Sequence, residues 1–286
     1  MPLLNYYSQT KMAKGEKYGY KTAILHLAPY KLSGKNVCPK ASKECIAFCL
    51  NTSGRGQMNS VQQARINKTN LFWKDRKKFL VKLSHEIGQL KKRARNQGYK
   101  FAVRLNGTSD LAWHRFSSLM QDHPDVIFYD YTKVFNHLDH NLKNYKITFS
   151  ASGSNNTECA AALAAGHNVA YVFKDKLPKK FQGKRVIDGD KHDLRFLDPR
   201  GVVVGLLAKG SAKKAAAGDK QRRKKKCTNY TLNTRAELRL MLIRLRKKLF
   251  LNSFRSTAWS SGKKLHQLKF IQVSLVNQLS LNQLIS

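Results

Sequence analysis

Two apolar rhythms alternate along most of the chain. Seven runs of strand length, KTAILHLAP, YKFAVRLNG, DVIFYDYTK, YKITFSASG, HNVAYVFKD, KRVIDGD and RGVVVGLLAKG, concentrate Val, Ile, Phe and Tyr and are punctuated by Gly, Asn or Asp. Between the first two, a helical region from about Ser60 to Asn96 mixes Leu, Phe and Ile at helix spacing with Lys, Arg and Gln. A second helix, TECAAALAAG, is expected to start from a Thr157 cap and to close at Gly166. Strands that alternate with helices imply parallel pairing with helices over the sheet. The expected fold class is therefore α/β: a parallel-strand (β/α) barrel, complete or partial, with an open α/β sheet as the alternative.

The strand-like runs share a second property, since each starts apolar and finishes polar. The polar clusters are Arg104, Asn106, Thr108 and Asp110; Asp130, Thr132 and Lys133; Ser150, Ser152 and Ser154; and Lys174, Asp188, Asp190 and Lys209. In parallel α/β folds the C-terminal strand ends converge on one side, where loops assemble a ligand site. Polar strand ends also occur simply because strand ends meet water, but a succession of them favours a shared site.

Composition adds a strong constraint. The 286 residues contain 54 Lys and Arg against 17 Asp and Glu, a formal net charge of +37, with enough apolar and aromatic residues for a substantial core. That balance gathers phosphate polyanions and points to nucleic acid or nucleotide as partner. The charge is not confined to one end, although residues 221–286 hold 15 Lys and Arg with a single acid, Glu237. A low-complexity basic run, GSAKKAAAGDKQRRKKKC, marks an expected boundary, giving an α/β domain over 1–218 and a basic, partly helical or disordered tail over 219–286. No run of about 18 apolar residues and no leader-like start appear, so neither a membrane span nor export is expected.

Five cysteines in a chain with no leader-like start argue against a disulfide framework, and three of them, Cys38, Cys45 and Cys49, fall within the stretch VCPKASKECIAFCL. If SKECIAFCL is helical, Cys45 and Cys49 share a face, and Cys38 can fold back through the turn at Pro39. A structural zinc site wants four ligands, usually in paired CxxC units, and the spacing supplies neither. Three thiolates suit a 4Fe–4S cluster with one iron open, the arrangement by which radical S-adenosylmethionine enzymes anchor their cosubstrate. The spacing differs from the common CxxxCxxC of those enzymes, and buried free thiols remain the plain alternative. Cys159 reads as packing in an Ala-rich helix, and Cys227 follows a basic run.

Other constellations are weaker. DGDKHDLRFLDP gathers Asp188, Asp190, Asp193 and Asp198, which suggests either Mg²⁺-dependent nuclease chemistry or a turn paired with neighbouring cations. Tyr129 and Lys133 stand in a YxxxK arrangement like that of rolling-circle initiators, but His137 and His140 follow the tyrosine without the His-hydrophobe-His strand such enzymes need. The basic helical region offers a phosphate-tracking face through Arg65, Lys77, Lys78, Lys91, Lys92 and Arg93, or an ordinary solvated one.

The ordered segments CPKASKECIAFC, VQQARINKT, VRLNGTSDLAW, FYDYTK, TFSASGSN, NVAYVF and DGDKHDLRFLDP resemble the phage gene product 88 family over residues 3–218. The resemblance implies a bacteriophage protein of the host cytoplasm and highlights the strand-end residues named above, without implying an activity. Combined, these readings make Cys38, Cys45 and Cys49 the expected metal ligands. Arg104, Asn106, Asp110, Asp130 and Lys133 are the candidate catalytic or positioning groups. Thr108, Thr132, Ser150, Ser152, Asp188 and Asp190 are the candidate cosubstrate contacts. The expected function is iron–sulfur binding with radical chemistry on a nucleotide or nucleic acid; the alternative is a non-catalytic nucleic-acid-binding protein with a structural metal or free thiols.

Overall fold

The structure, a computed structural model, describes residues 1–6, 10–52 and 54–208. The expected boundary near 218, the tail beyond it, Lys209 and Cys227 lie outside the described residues. In chain order the elements are β1 (Leu4–Tyr6), α1 (Thr10–Glu16), β2 (Tyr20–Leu25), α2 (Lys43–Ala47), α3 (Asn59–Lys74), α4 (Arg76–Asn96), β3 (Lys100–Arg104) and α5 (Trp113–Phe116). They continue as α6 (Leu119–Asp122), β4 (Ile127–Thr132), β5 (Tyr145–Ser150), α7 (Asn156–Ala164), β6 (Val169–Phe173), β7 (Lys180–Phe181), β8 (Lys184–Asp188) and β9 (Val203–Leu207).

All seven strand-like runs of the sequence are strands, and with the short strands β1 and β7 they form one nine-stranded sheet in the order β1-β2-β3-β4-β5-β6-β9-β8-β7. From β2 to β8 every pairing is parallel; only the short edge strands β1 and β7 pair antiparallel. Each of these edges has one neighbour, so the sheet is open at both ends. It is a partial barrel-like α/β sheet, and a complete barrel is excluded because β1 and β7 do not meet.

Strand alternation divides the core. Phe101 and Val103 on β3, with Phe128 on β4 and Tyr145 on β5, face Phe72 of α3 and Phe79, Leu83 and Ile87 of α4. Ala102 and Tyr129 face the other way, where Leu194 and Phe196 cover them. The connection between β8 and β9 thus fills a face that a closed barrel would fill with strand side chains. It is held there by the ion pair of Asp193 with Arg104 at 3.1 Å, the Arg104 guanidinium lying 4.8 Å from the Tyr131 ring centre, while Asp198 and Arg195, 3.3 Å apart, pair within the connection itself.

The expected helical region from Ser60 to Asn96 is two helices, broken at Asp75. Asp75 has an extended φ of −146°, and its carboxylate accepts the Lys78 N–H at 2.9 Å as the cap of α4. Tyr99 and Gly98 donate to the carbonyls of Ala94 and Arg95, and Gly98 has φ +77, so α4 ends in a left-handed closure open to glycine. The α7 helix starts at Asn156 with Asn155 as its cap residue rather than at Thr157; it closes at Gly166 as its sequence predicts. The edge strand β1 is bolted to the helices: Glu86 accepts the N–H groups of Leu3 and Leu4, and Lys68 donates to the Leu3 carbonyl at 2.7 Å.

At the exit of β3 the segment LNGTSDLAW winds around one amide. The side-chain oxygen of Asn106 accepts from Ser109 Oγ, Leu111 N and Trp113 Nε1 at 2.9 to 3.0 Å, and its nitrogen donates to the Leu111 carbonyl. Its main-chain N–H donates to the buried Asp130 carboxyl at 2.6 Å, and Tyr145 OH donates to the other oxygen at 2.9 Å. Gly107 then passes so close to β2 that a Cβ there would meet the Leu25 carbonyl at 2.6 Å.

Two tests follow from this junction. Gly107→Ala should destabilise the protein by about 1–3 kcal/mol, because the Leu25 carbonyl is backbone and cannot swing away; denaturant titration measures it. Burial raises the Asp130 pKa to about 7, above an unfolded value of about 3.9. The folded protein therefore binds more protons between these values, and this group's contribution to stability falls as pH rises from about 4 to about 7, by on the order of 1 kcal/mol per unit. His26, pushed by burial down to about 3, slopes the other way up to its unfolded value near 6.5. The readout is accordingly the difference between parent and Asp130→Asn, which should lose only the Asp130 slope; parallel stability-pH curves would refute the assignment.

Candidate functional site

The three clustered cysteines sit on the C-terminal side of β2, in the long connection that leads into α3. Cys38 is half-buried; its Sγ accepts the Tyr30 N–H at 3.3 Å and lies 3.6 Å from the Thr108 carbonyl of the β3 exit. Cys45 lies in α2, which Ser42 caps by accepting the Cys45 N–H at 3.1 Å. Helix α2 ends at Ala47 with Phe48 as its cap, so Cys49 does not share a helical face with Cys45, contrary to the expectation from spacing. Burial pushes the Cys38 thiol up to about 11, with Asp110, Cys45 and Cys49 adding to the rise. Burial also raises Cys49; Cys45 adds to that rise, while Arg65 and Lys133 oppose it. None of the three is in a disulfide, and each is half-buried. They are not closed on a common point: among the described residues no three of His, Cys, Asp and Glu are grouped to hold a metal ion.

Beside the thiols the exits of β3, β4 and β5 join through Asp110 and Lys133. One carboxylate oxygen accepts Thr132 Oγ1 at 2.6 Å and lies 3.4 Å from His137 Nδ1; the other accepts the Lys133 N–H at 2.8 Å. Thr132 Oγ1 is also 3.0 Å from His137 Nδ1, and Lys133 Nζ donates to Ser150 Oγ at 3.2 Å. Thr108 Oγ1 donates to the Leu27 carbonyl, which locks the β3 exit to the chain leading to Cys38. Ser152 and Asn155 close the turn after β5, Ser152 N donating to Asn155 Oδ1 at 2.8 Å.

The strand-end candidates therefore separate into three groups. Asp110, Thr132, Lys133 and Ser150 form one hydrogen-bonded chain, in which Thr132 is buried; Thr108, bonded to Leu27, sits beside Cys38, and Ser152 lies in the turn that follows Ser150. Asn106 and Asp130 are buried, and their polar atoms are taken up in building the β3 exit; Arg104 is turned to the opposite face and paired with Asp193. Asp188 and Asp190 lie at the end of β8, where Asp188 accepts the Asp190 N–H and Asp190 accepts the Leu207 N–H. With Asp193 on Arg104 and Asp198 on Arg195, the four carboxylates of DGDKHDLRFLDP diverge to separate partners, which favours the paired-turn reading over a Mg²⁺ cradle. Cys159 is fully buried in α7, as packing requires.

Sequence reasoning missed two contributors. His137 reaches Asp110 from the short turn Phe135–Leu138, and its ring lies 6.0 Å from that of His114, which burial lowers to about 4. Nothing in the spacing of NHLDH announces that partner, because the contact depends on β4 delivering Thr132 beside Asp110. The second is the face Gln62, Arg65 and Thr69 of α3, where Arg65, expected on a phosphate-tracking or solvated face, is half-buried and turned to Asn51 instead. Gln62 donates to the carbonyls of Asn51 and Gly56, Arg65 bonds the Asn51 side chain, and Thr69 accepts the Ala28 N–H. Polar residues at i, i+3 and i+7 on an otherwise packed helix were the available signal.

No described helix is long and apolar enough to cross a membrane. No curated protein and no solved structure matches the chain. The sequence pattern of the Gene product 88 family does match, and it reaches past the boundary expected near residue 218. With residues 2–230 covered, the chain belongs to that bacteriophage family.

Proposed function

We propose that the chain binds an iron–sulfur cluster through Cys38, Cys45 and Cys49 and works on a small anionic substrate or cosubstrate held at the wall formed by Asp110, Thr132, Lys133 and Ser150. The observation that carries this reading is the placing of three half-buried cysteines, none in a disulfide, on the C-terminal side of the parallel strands, with Cys38 packed on the Thr108 carbonyl of the β3 exit. The donor set fits: soft thiolates suit a cluster, and three of them leave one iron for an exogenous ligand. When bound, such a cluster supplies one-electron chemistry, and S-adenosylmethionine is the cosubstrate class that a three-thiolate site accommodates.

Closure of the thiols is compatible with the packing. Helix α2 buries no side chain, so Cys45 and Cys49 can approach Cys38 by adjusting a loop without opening the core. Thiols raised by burial must give up protons to act as ligands, and the negative charge that results would face Arg65 and Lys133. Lys133, fixed through its N–H on Asp110 and its ammonium on Ser150, is placed to bind a carboxylate or phosphate. Asp110 and Thr132 hold His137 through Nδ1, which orients Nε2 as an acid–base group.

Anaerobic reconstitution with ferrous iron and sulfide should load the full chain with iron and acid-labile sulfide, and Cys38→Ala, Cys45→Ala or Cys49→Ala should each reduce both to background. Cys159→Ala should load normally. Failure of the parent chain to take up iron, or equal loss in Cys159→Ala, would overturn the reading. Lys133→Ala should keep the iron and weaken binding of S-adenosylmethionine to the loaded protein by about 10–100-fold, since it removes a charged contact near 2 kcal/mol in strength; equilibrium dialysis measures this directly.

A further inference from the structure

We propose that the solvent face of α4 is a docking surface for double-helical nucleic acid, gripped through its phosphates and separate from the thiol site. Residues 59–96, which make up α3 and α4, contain eleven Lys and Arg and only two acids, Asp75 and Glu86. Both acids are engaged inside the protein: Asp75 caps α4 at Lys78 N, and Glu86 accepts the N–H groups of Leu3 and Leu4. Across the surface, Asp125 reaches Lys91 at 3.1 Å, and Asp122 accepts from Ser118. Lys77, Lys78, Lys92 and Arg95 stay exposed, and no ion pair joins them to these acids.

The arrangement also selects among polyanions. The apolar side of α4, Phe79, Leu83 and Ile87, is fully buried against the sheet, and Val81 is the large apolar side chain left on the outer face. A helix that lies in a lipid surface needs an apolar face to insert, so a membrane is disfavoured. Single strands are held by stacking successive bases on aromatic side chains, and the exposed face of α4 carries no Phe, Tyr or Trp and a single ring, His85. What remains is a rigid helix about 31 Å long, with cationic pairs near both ends separated by about 22–27 Å, a spacing suited to phosphates of a duplex rather than to a point anion.

The test compares two charge reversals of equal size in the full chain. One variant carries Lys77→Glu, Lys78→Glu, Lys92→Glu and Arg95→Glu; the control carries Lys143→Glu, Lys146→Glu, Lys179→Glu and Lys180→Glu, all exposed and outside α3 and α4. The probe is a duplex of about 24 base pairs, longer than the helix at 3.4 Å per pair. Fluorescence anisotropy over a salt series should give an affinity loss of about 100-fold for the α4 variant and a salt slope reduced by about 3–4, with less than tenfold loss for the control. A Lys→Gln and Arg→Gln set at the same α4 positions, with an unchanged melting temperature, separates lost contacts from misfolding. Equal losses in both reversals, absence of duplex binding at low salt, or equally tight binding to single strands or to anionic phospholipid vesicles would each overturn the proposal. None of these outcomes depends on whether the thiols hold a cluster.

Discussion

The junction between Asp130 and Asn106 is the constraint on which the C-terminal side of the parallel strands depends. A carboxyl buried in the middle of a parallel sheet is unfavourable unless its oxygens are satisfied, and here the two donors come from different elements, the β3 exit and Tyr145 of β5. Once Asn106 is fixed, its amide oxygen gathers Ser109, Leu111 and Trp113, and the indole is anchored among Phe72, Phe79 and Phe116. That turn delivers Thr108 to Leu27 and Asp110 to Thr132 and Lys133. Without the buried carboxyl, the Asn106 N–H would lose its acceptor at the point where the loop beside Cys38 departs from β3.

Few acids serve a very basic chain, and their distribution explains much of its surface. Glu86 ties down β1, Asp75 starts α4, Asp193 pins the β8–β9 connection to Arg104, Asp198 pairs with Arg195 within it, and Asp110 joins the exits of β3 and β4. Nearly every one of these carboxylates faces a main-chain N–H or a partly buried cation. Few remain to neutralise the outward lysines, so the positive surface is a consequence of where the acids are needed as well as of how many bases there are.

The strands were legible because each buried run is long, rich in β-branched and aromatic residues, and separated from the next by helix or turn signals. β1 and β7 were not, since strands of three and two residues carry no periodicity of their own and exist by pairing. The break at Asp75 was readable in principle as an N-cap within a helical pattern. The candidate site was half legible: polar strand ends named the loops that meet at Asp110, but sequence cannot say which side of a strand an end residue faces. Alternation decides it, sending Arg104 to Asp193 on one face while Asp130 turns to Tyr145 on the other.

Alternation also explains why the thiols and the polar wall meet. Thr132 and Asp130 share one side of β4, so the residue that supports the β3 exit and the residue that binds Asp110 are fixed by a single strand register. Lys133 comes next, on the opposite side, and reaches Ser150. A slip of one residue in β4 would put Asp130 toward Phe196, strand Asn106 and move Lys133 away from Cys49 at once. The thiol loop, by contrast, is tied to this frame through Cys38, Thr108 and the α3 face of Gln62 and Arg65, with α2 itself burying nothing. A rigid polar wall beside a compliant thiol loop is the combination a site needs if its ligands are to close around something the wall has already positioned.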